Sequence, residues 1–543
     1  MPRSPPLEER IGLLEDDVDP ENLSCASSTT LGEYAPETGG ASHPKEVGVP
    51  GVEQTGGFRS WCRSKHGSFR RVVGRQPGRA LFAVIKYLFL TLCVLFVGPP
   101  ILFPSYTRPP PHYRDLESRC HGAFAVPGCA NLFKEQVFIS VSLYDADGKL
   151  ARGQWSKNLL ELIHLIGHKN VFLSIYENDS GPEGASALES LKMRLRCRYS
   201  IVNDPHVNMT DFPTLALPDD SVRVKRLAYM SEMRNRALRP LDRFDPDTGV
   251  TQYDKIMFMN DVSFRPLEAA HLLFSTNAGP DGRAHYLSAC ALDYHTPFLF
   301  YDLYATRDAE GFSAGLPIFP IFSNEGHGLS RVAMLAQSDA VPVSACWSGM
   351  VAMQAKFVQN LNEFLPNPHF QDIGNHVIDP SSPREVTPPV RFRYEPDLFF
   401  DACECCLFLA DIAQIARKEN AQELGVYVNP YVRVAYTDRV LAWLSWVKKW
   451  ERLFIIPHAI GTPLISLPTH NPYRAVQEGD GFLEEIWIGK RRAGRWVLVP
   501  RVARNGLFCG VREFQTIRLD EHKNDINWEN IKIPAGQILH YPT

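Results

Sequence analysis

The chain has 543 residues, 57 Lys+Arg against 61 Asp+Glu, and a 44% hydrophobic composition. A net charge of −4 removes any global case for nucleic-acid binding. Abundant aromatic residues (31 Phe, 19 Tyr, 9 Trp) exclude a wholly disordered chain, and a lone apolar stretch of spanning length excludes a multi-span membrane protein.

Residues 1 to about 55 are rich in Glu, Asp, Pro, Gly, Ser and Thr, carry no sustained hydrophobic period, and are expected to be disordered. Seven basic residues follow without an acidic one between them: Arg59, Arg63, Lys65, Arg70, Arg71, Arg75 and Arg79. Next comes the apolar run 80–98, whose one charge, Lys86, lies near its start. Its length suits a membrane helix, and Lys86 can snorkel to the headgroups. A cleaved signal peptide would start near the N-terminus and end at a small-residue site. Here 79 residues precede the run and Pro99-Pro100 follows it, so a signal anchor over 80–104 is expected. The basic residues predict a cytosolic tail, 1–79, and a lumenal body.

Residues 105–134, with Pro109 to Pro111, read as a stem. Nine of the twelve cysteines lie beyond the anchor, as expected for an oxidising lumen, and Cys120 with Cys129 is the expected local disulfide. Asn178-Asp-Ser180 and Asn208-Met-Thr210 are glycosylation sequons.

Beyond the stem, strands and helices alternate. Strands are predicted at 136–143, 171–176, 199–202, 255–259 and 286–292. Between them helices are predicted from a Ser156 cap, over about 185–195, and over 226–238, with Pro266 opening another. Alternation implies an α/β domain with a mainly parallel sheet and helices on both faces. In such sheets ligands bind outside the carboxyl ends of the strands. Glu177-Asn-Asp179, Asn260-Asp261 and Asp293 fall at such ends. Dinucleotide, phosphate-loop, zinc-helix and nucleophile-elbow motifs are all missing from the sequence. The remaining carboxylates and arginines suit a metal-bound diphosphate, with Asp261 toward the cation and Arg234 or Arg236 toward the phosphates. A turn-capping Asp261 beside a solvated arginine edge is the plainer alternative. After residue 440 a helix over 440–447 and a hairpin over 485–499 are expected, within a C-terminal part 441–543 on the acceptor side.

Several segments together resemble the fungal capsule-associated alpha-1,3-mannosyltransferase family. They are 137–143, 171–177, Met233-Arg-Asn-Arg-Ala-Leu238, Phe258-Met-Asn-Asp-Val262, 300–308, Cys346-Trp-Ser-Gly349, Cys403-Glu-Cys-Cys-Leu-Phe408 and Phe508-Cys-Gly-Val-Arg512. The resemblance implies a type II Golgi protein with a GT-A-like catalytic domain, 135–440. It also implies a nucleotide-sugar donor, GDP-mannose, a divalent cation, Mn2+ or Mg2+, and a glycan acceptor. Asn260-Asp261-Val262 would stand for the Asp-x-Asp metal motif, without its first Asp. Asp261 is then the metal ligand. Glu177, Arg234, Asn235, Arg236 and Asn260 are the donor-side candidates, and Asp302, Asp308 and Glu404 the catalytic ones. For Asp302, Arg307 and Asp308 a loop salt bridge remains the alternative, and for Trp347 a place in the core. Transfer from an alpha-linked donor to an alpha-mannoside retains configuration and relies on electrostatic support for the departing phosphate. A non-catalytic polysaccharide assembly or export factor on the same fold, and a lumenal glycosidase, are the other readings.

Overall fold

The computed structural model describes residues 77–103, 105–121, 126–242, 252–361, 386–419, 424–468, 471, 473–489, 494–518 and 528–537. The expected cytosolic tail lies outside them, apart from the last residues before the apolar run. Helix α1, Pro77–Leu102, covers that run; its residues 81–102 are long and apolar enough to cross a membrane. It forms a unit separate from the folded body that begins at Ser105.

Nine strands form the central sheet of the body. In chain order they are β1 (Val137–Leu143), β2 (Val171–Asn178), β3 (Arg198–Asp204), β6 (Lys255–Met259), β7 (Ser288–Tyr294), β8 (Arg307–Asp308), β9 (Val341–Ala345), β10 (Met350–Gln354) and β12 (Val426–Ala435). They lie side by side as β3-β2-β1-β6-β10-β7-β12-β9-β8. The pairs β3/β2, β2/β1, β1/β6 and β7/β12 are parallel; β10 and β9 run against their neighbours. The chain winds outward from β1 to β2 and β3, then returns to place β6 on the other side of β1. The carboxyl ends of β1 and β6 therefore flank a topological switch point, where α/β sheets open a crevice.

Pleating sends alternate side chains to opposite faces. Phe138, Ile256 and Phe258 enter one core with α5 (Arg226–Leu238) and α8 (Glu404–Lys418). Ile139, Val141, Met257 and Met259 enter the other, with α3 (Gln154–Ile166), α4 (Gly181–Lys192) and α6 (Pro266–Phe274). The expected layering is thus present. Pro266 opens α6, where its missing N–H costs nothing. Ser156 does not cap α3. That helix starts at Gln154 behind Gly153, and the Ser156 hydroxyl donates back to the Gly153 carbonyl at 3.1 Å. At its other end Gly167 has φ 99°, a conformation that favours glycine, and donates its N–H to the Ile163 carbonyl.

The segment expected as a stem folds onto the body. It carries helix α2 (Pro111–Cys120), with Tyr106, Tyr113 and Leu116 buried because this stretch supplies aromatic surface the core can take. Cys120–Cys129 pairs as expected. The C-terminal part is woven into the same body. Strand β16 (Gln515–Arg518) pairs with β5 (Val222–Lys225), in a four-stranded sheet completed by β4 (Thr214–Ala216) and β17 (Trp528–Asn530). Strand β15 (Gly510–Val511) pairs with β11 (Asp401–Ala402), and Cys406–Cys509 bridges α8 to the C-terminal chain. The hairpin is β13 (Gly481–Ile488) with β14 (Arg495–Val502); its tip, 490–493, lies outside the described residues. Helices α7 (Leu329–Leu335), α9 (Asp438–Val447) and α10 (Ile455–Leu464) and a single helical turn, Lys149–Arg152, also belong to the body.

Candidate active site

The carboxyl edge of the parallel strands gathers a polar cluster. Asn260 and Asp261 leave β6, Asp293 is the penultimate residue of β7, and Tyr436 follows β12. Because β10 is antiparallel and Met350 is level with Met259, the turn before β10 reaches the same edge. That turn is the Cys346-Trp-Ser-Gly349 segment. Cys346 is disulfide-bonded to Cys290 on β7. Ser348 and Gly349 both have positive φ, 53° and 69°. A side chain on Gly349 would meet Val262 Cγ1 at 2.7 Å, so the chain passes there only as glycine.

This geometry aims the turn's backbone at the cluster. Ser348 N–H donates to Asp302 Oδ2 at 2.7 Å, and the Gly349 carbonyl accepts from Asn260 N–H at 2.9 Å. Trp347 Nε1–H points at Asn260 Oδ1, 3.4 Å away. Asp302 Oδ1 accepts from Ala305 N–H at 3.0 Å, and Asp302 N–H donates to Asp293 Oδ1 at 3.1 Å. Tyr436 Oη–H donates to Asp293 Oδ2 at 3.1 Å. The two carboxylates are buried beside one another, and burial first, then the charge of Asp302, push the Asp293 carboxyl well above the usual range.

Asp261 keeps some exposed surface at the rim while its carboxyl group is enclosed. Burial raises its pKa; Arg234 nearby works in the opposite direction, and the Asp145 charge adds to the rise. Asp145 follows β1, on the other side of the switch point. The sequence reading missed it because the apolar strand ends two residues earlier, although its place beyond a strand end was the available signal. Its oxygens accept from the Leu150 and Ala151 N–H groups, and its own N–H donates to Ser180 Oγ at 2.8 Å.

Arg234 is buried on α5, 3.2 Å from Glu404 Oε1, and stands over the Trp347 ring at 5.0 Å from its centre. Glu404, in the first turn of α8, is fully buried, so it meets the site through Arg234. Cys403, Glu404 and Cys405 bring three donor atoms within 4.8 Å of one another, but Arg234 already supplies the positive charge at that place. Cys406 is in the disulfide with Cys509, which is what the cysteine-rich segment does structurally.

The other candidates lie further out. Asn235 exchanges two 2.8 Å hydrogen bonds with the Phe392 backbone. Arg236 ties Glu232, Tyr176 and Asp204 together beside β2 and β3. Glu177 is buried at the end of β2, where it accepts from Ser180 N–H at 3.0 Å and from the Asn203 amide; burial raises its pKa. Asp308 accepts from Glu310 and Phe312 N–H at 2.9 Å each, closing its own turn, while Arg307 is spent on the carbonyls of Tyr304, Thr306, Phe508 and Cys509. The structure therefore brings Asp261, Asn260, Arg234, Glu404 and Asp302 around the turn 346–349. Glu177 and Arg236 sit toward β3, and Asp308 belongs to another loop. A cavity of about 500 Å3 lies by Leu287 and Val426 at the amino ends of β7 and β12, at the other edge of the sheet from this cluster. Of the sequons, Asn178 is buried and donates to Tyr229 Oη at 2.8 Å, whereas Asn208 is exposed.

The family profile described as Cryptococcal mannosyltransferase 1 matches residues 136–411, just over half of the chain. The match spans β1 to the middle of α8 and contains every candidate residue. The chain belongs to this family and is a glycosyltransferase. No curated protein matches it. Among solved structures it is similar to the mannosyltransferase PcManGT from Pyrobaculum calidifontis in complex with GDP-Man and Mn2+, at 12% identity and TM-score 0.29, over 71% of this chain and 78% of that chain. Similarity also extends to glucosyl-3-phosphoglycerate synthase from Mycobacterium tuberculosis, in complex with Mn2+ and UDP-glucose. There the identity is 10% and the TM-score 0.25, over 73% of this chain and 95% of that chain.

Proposed function

We propose that the chain transfers an alpha-mannosyl residue from GDP-mannose to a mannoside, forming an alpha-1,3 link with retention of configuration, in the lumen of the Golgi as a type II membrane protein. The observation that carries this reading is the position of Asp261 directly after β6, at the switch point, with its carboxyl group enclosed and feeling the charges of Arg234 and Asp145. A strand-end carboxylate that burial makes costly to ionise is stabilised by a cation brought beside it. It suits a hard divalent cation, Mn2+ or Mg2+, whose other ligands are phosphate oxygens and water. Such a cation, when bound, offsets the charge on a departing diphosphate.

The chain's own groups divide the remaining work. Arg234 is fixed by Glu404 and Trp347, so its charge stays directed at the rim near Asp261. Asp302, whose carboxylate is oriented by two backbone N–H groups, is placed to accept from a sugar hydroxyl. Asn260, held by Gly349 and Trp347, lines the same crevice. Glu177, Asn235, Arg236 and Asp308 act by shaping loops and helices around it. The apolar α1 and the three disulfides among the described residues support an anchored domain in an oxidising compartment. The test is incubation of the purified full chain with a panel of GDP- and UDP-sugars, Mn2+ and an alpha-mannoside. Expected is GDP release with an alpha-linked product from GDP-mannose. Preferential transfer from a UDP-sugar, or an inverted product, would overturn the reading.

A further inference from the structure

The polypeptide enters the folded body at a fixed point. Only Phe103 and Pro104 separate Leu102, the last residue of α1, from Ser105. Ser105 is fully buried, and its hydroxyl donates to Glu451 Oε1 at 2.5 Å. Glu451 is itself locked by Arg433 at 2.8 and 2.9 Å. Three residue steps reach at most about 11 Å. A bilayer that holds α1 therefore lies close to Glu451.

Glu451 opens the short 3-10 helix, Glu451–Phe454, that joins α9 to α10. Its side chain turns inward, but the surface around it is apolar. Trp443 and Trp446 on α9 are each 48% exposed, and Leu453 42%. On α10, Ile456 is 69% exposed, Ile460 59% and Leu464 76%. Within α9 the pair is three residues apart, and within α10 Ile456, Ile460 and Leu464 are four apart, so each helix carries its exposed apolar set on one side. Phe298 packs edge-on against Phe454 at 5.8 Å, so the loop that leads to Asp302 borders the same surface. Along 438–464 the exposed charges are Asp438, Arg439 and Lys449. Monomeric soluble proteins rarely leave so many large apolar side chains open together. Trp beside aliphatic residues, with basic groups at the margin, is the composition of a membrane–water interface.

We propose that the α9–α10 face rests on the surface of the bilayer that α1 enters, with its side chains at the boundary between headgroups and acyl chains. This rests on α1 spanning that bilayer and is independent of the donor and the metal. The test reconstitutes the full chain in liposomes of phosphatidylcholine and phosphatidylserine, with some phosphatidylcholine carrying a photoactivatable diazirine near the headgroup end of its acyl chain. Labelled peptides are mapped by mass spectrometry, and cross-links between copies are scored in the same sample. Expected is label in 443–465 as well as in 81–102. In the triple variant Ile456→Glu, Ile460→Glu, Leu464→Glu, label in 443–465 should fall several-fold while label in 81–102 and the melting temperature stay unchanged. If that variant fails to fold, the wild-type map decides alone. Label confined to 81–102 overturns the proposal. Cross-links between copies through 443–465 without lipid label would give the face to a second copy and overturn it too. Absence of label from 81–102 would remove the anchor and the proposal with it.

Discussion

Asp293 and Asp302 illustrate how much a single buried carboxyl group can say about pH. The Asp293 pKa is raised, first by burial and then by its neighbour's charge. Its folded value therefore lies above the unfolded one, near 3.9. Its contribution to stability is fully present below the unfolded value and is lost as pH rises through the folded one, at up to about 1.4 kcal/mol per pH unit. Asp293→Asn removes this penalty and still offers an acceptor to Asp302 N–H. Thermal melts should show the variant gaining on the wild type from pH 4 to pH 8. An equal difference at both ends would mean that the pair does not titrate as described. Individual residues were also where the sequence was least legible. Asp145 and the orienting role of Trp347 depend on chain segments more than 100 residues apart meeting at one edge. Asp308 and Glu177 carry the same chemistry in sequence as Asp302, yet Asp308 is spent on its own turn and Glu177 on Ser180 and Asn203, while Asp302 reaches the turn 346–349.

At the level of elements the apolar periods were sufficient for the five strands β1, β2, β3, β6 and β7 and the helices between them. Helix α5 and strand β6 begin and end where the pattern says, because their buried positions leave no other register. The pattern did not reveal β8, β9, β12 or β10, the last an antiparallel strand inserted between β6 and β7. A short buried run such as 350–354 fits either direction, and only its pairing with β6 and β7, both distant in sequence, decides it. That insertion delivers the turn 346–349 to the site, and with it the stack of Trp347 on Arg234. The contact between α5 and α8 at this stack is a buried ion pair, Arg234–Glu404. Removing one partner of such a pair strands the other charge and typically costs about 3–5 kcal/mol. Glu404→Gln should accordingly lower the urea midpoint steeply, and Arg234→Met with Glu404→Leu should recover part of the loss. Greater stability of the single variant than of the double would contradict this account of the pair.

On the scale of the whole molecule, family membership defines a glycosyltransferase, and its folded body starts three residues after an apolar helix. The sequence announced the helix and the α/β body correctly, but made the connection a free stem. Buried Tyr106 and Tyr113 instead tie the first residues of the body into it. The metal and donor reading converges on Asp261. Its carboxyl is already costly to ionise through burial, so Asp261→Asn should fold as well as the wild type. Losing electrostatic support for a leaving group typically costs about 3–4 kcal/mol, or roughly 100- to 1,000-fold in rate. The most direct measurement is therefore mannosyl transfer from GDP-mannose across a manganese titration, wild type beside Asp261→Asn, with a thermal melt for each. A fall of that size in a variant that melts like the wild type is the predicted result; near-wild-type transfer with unchanged manganese dependence would contradict it.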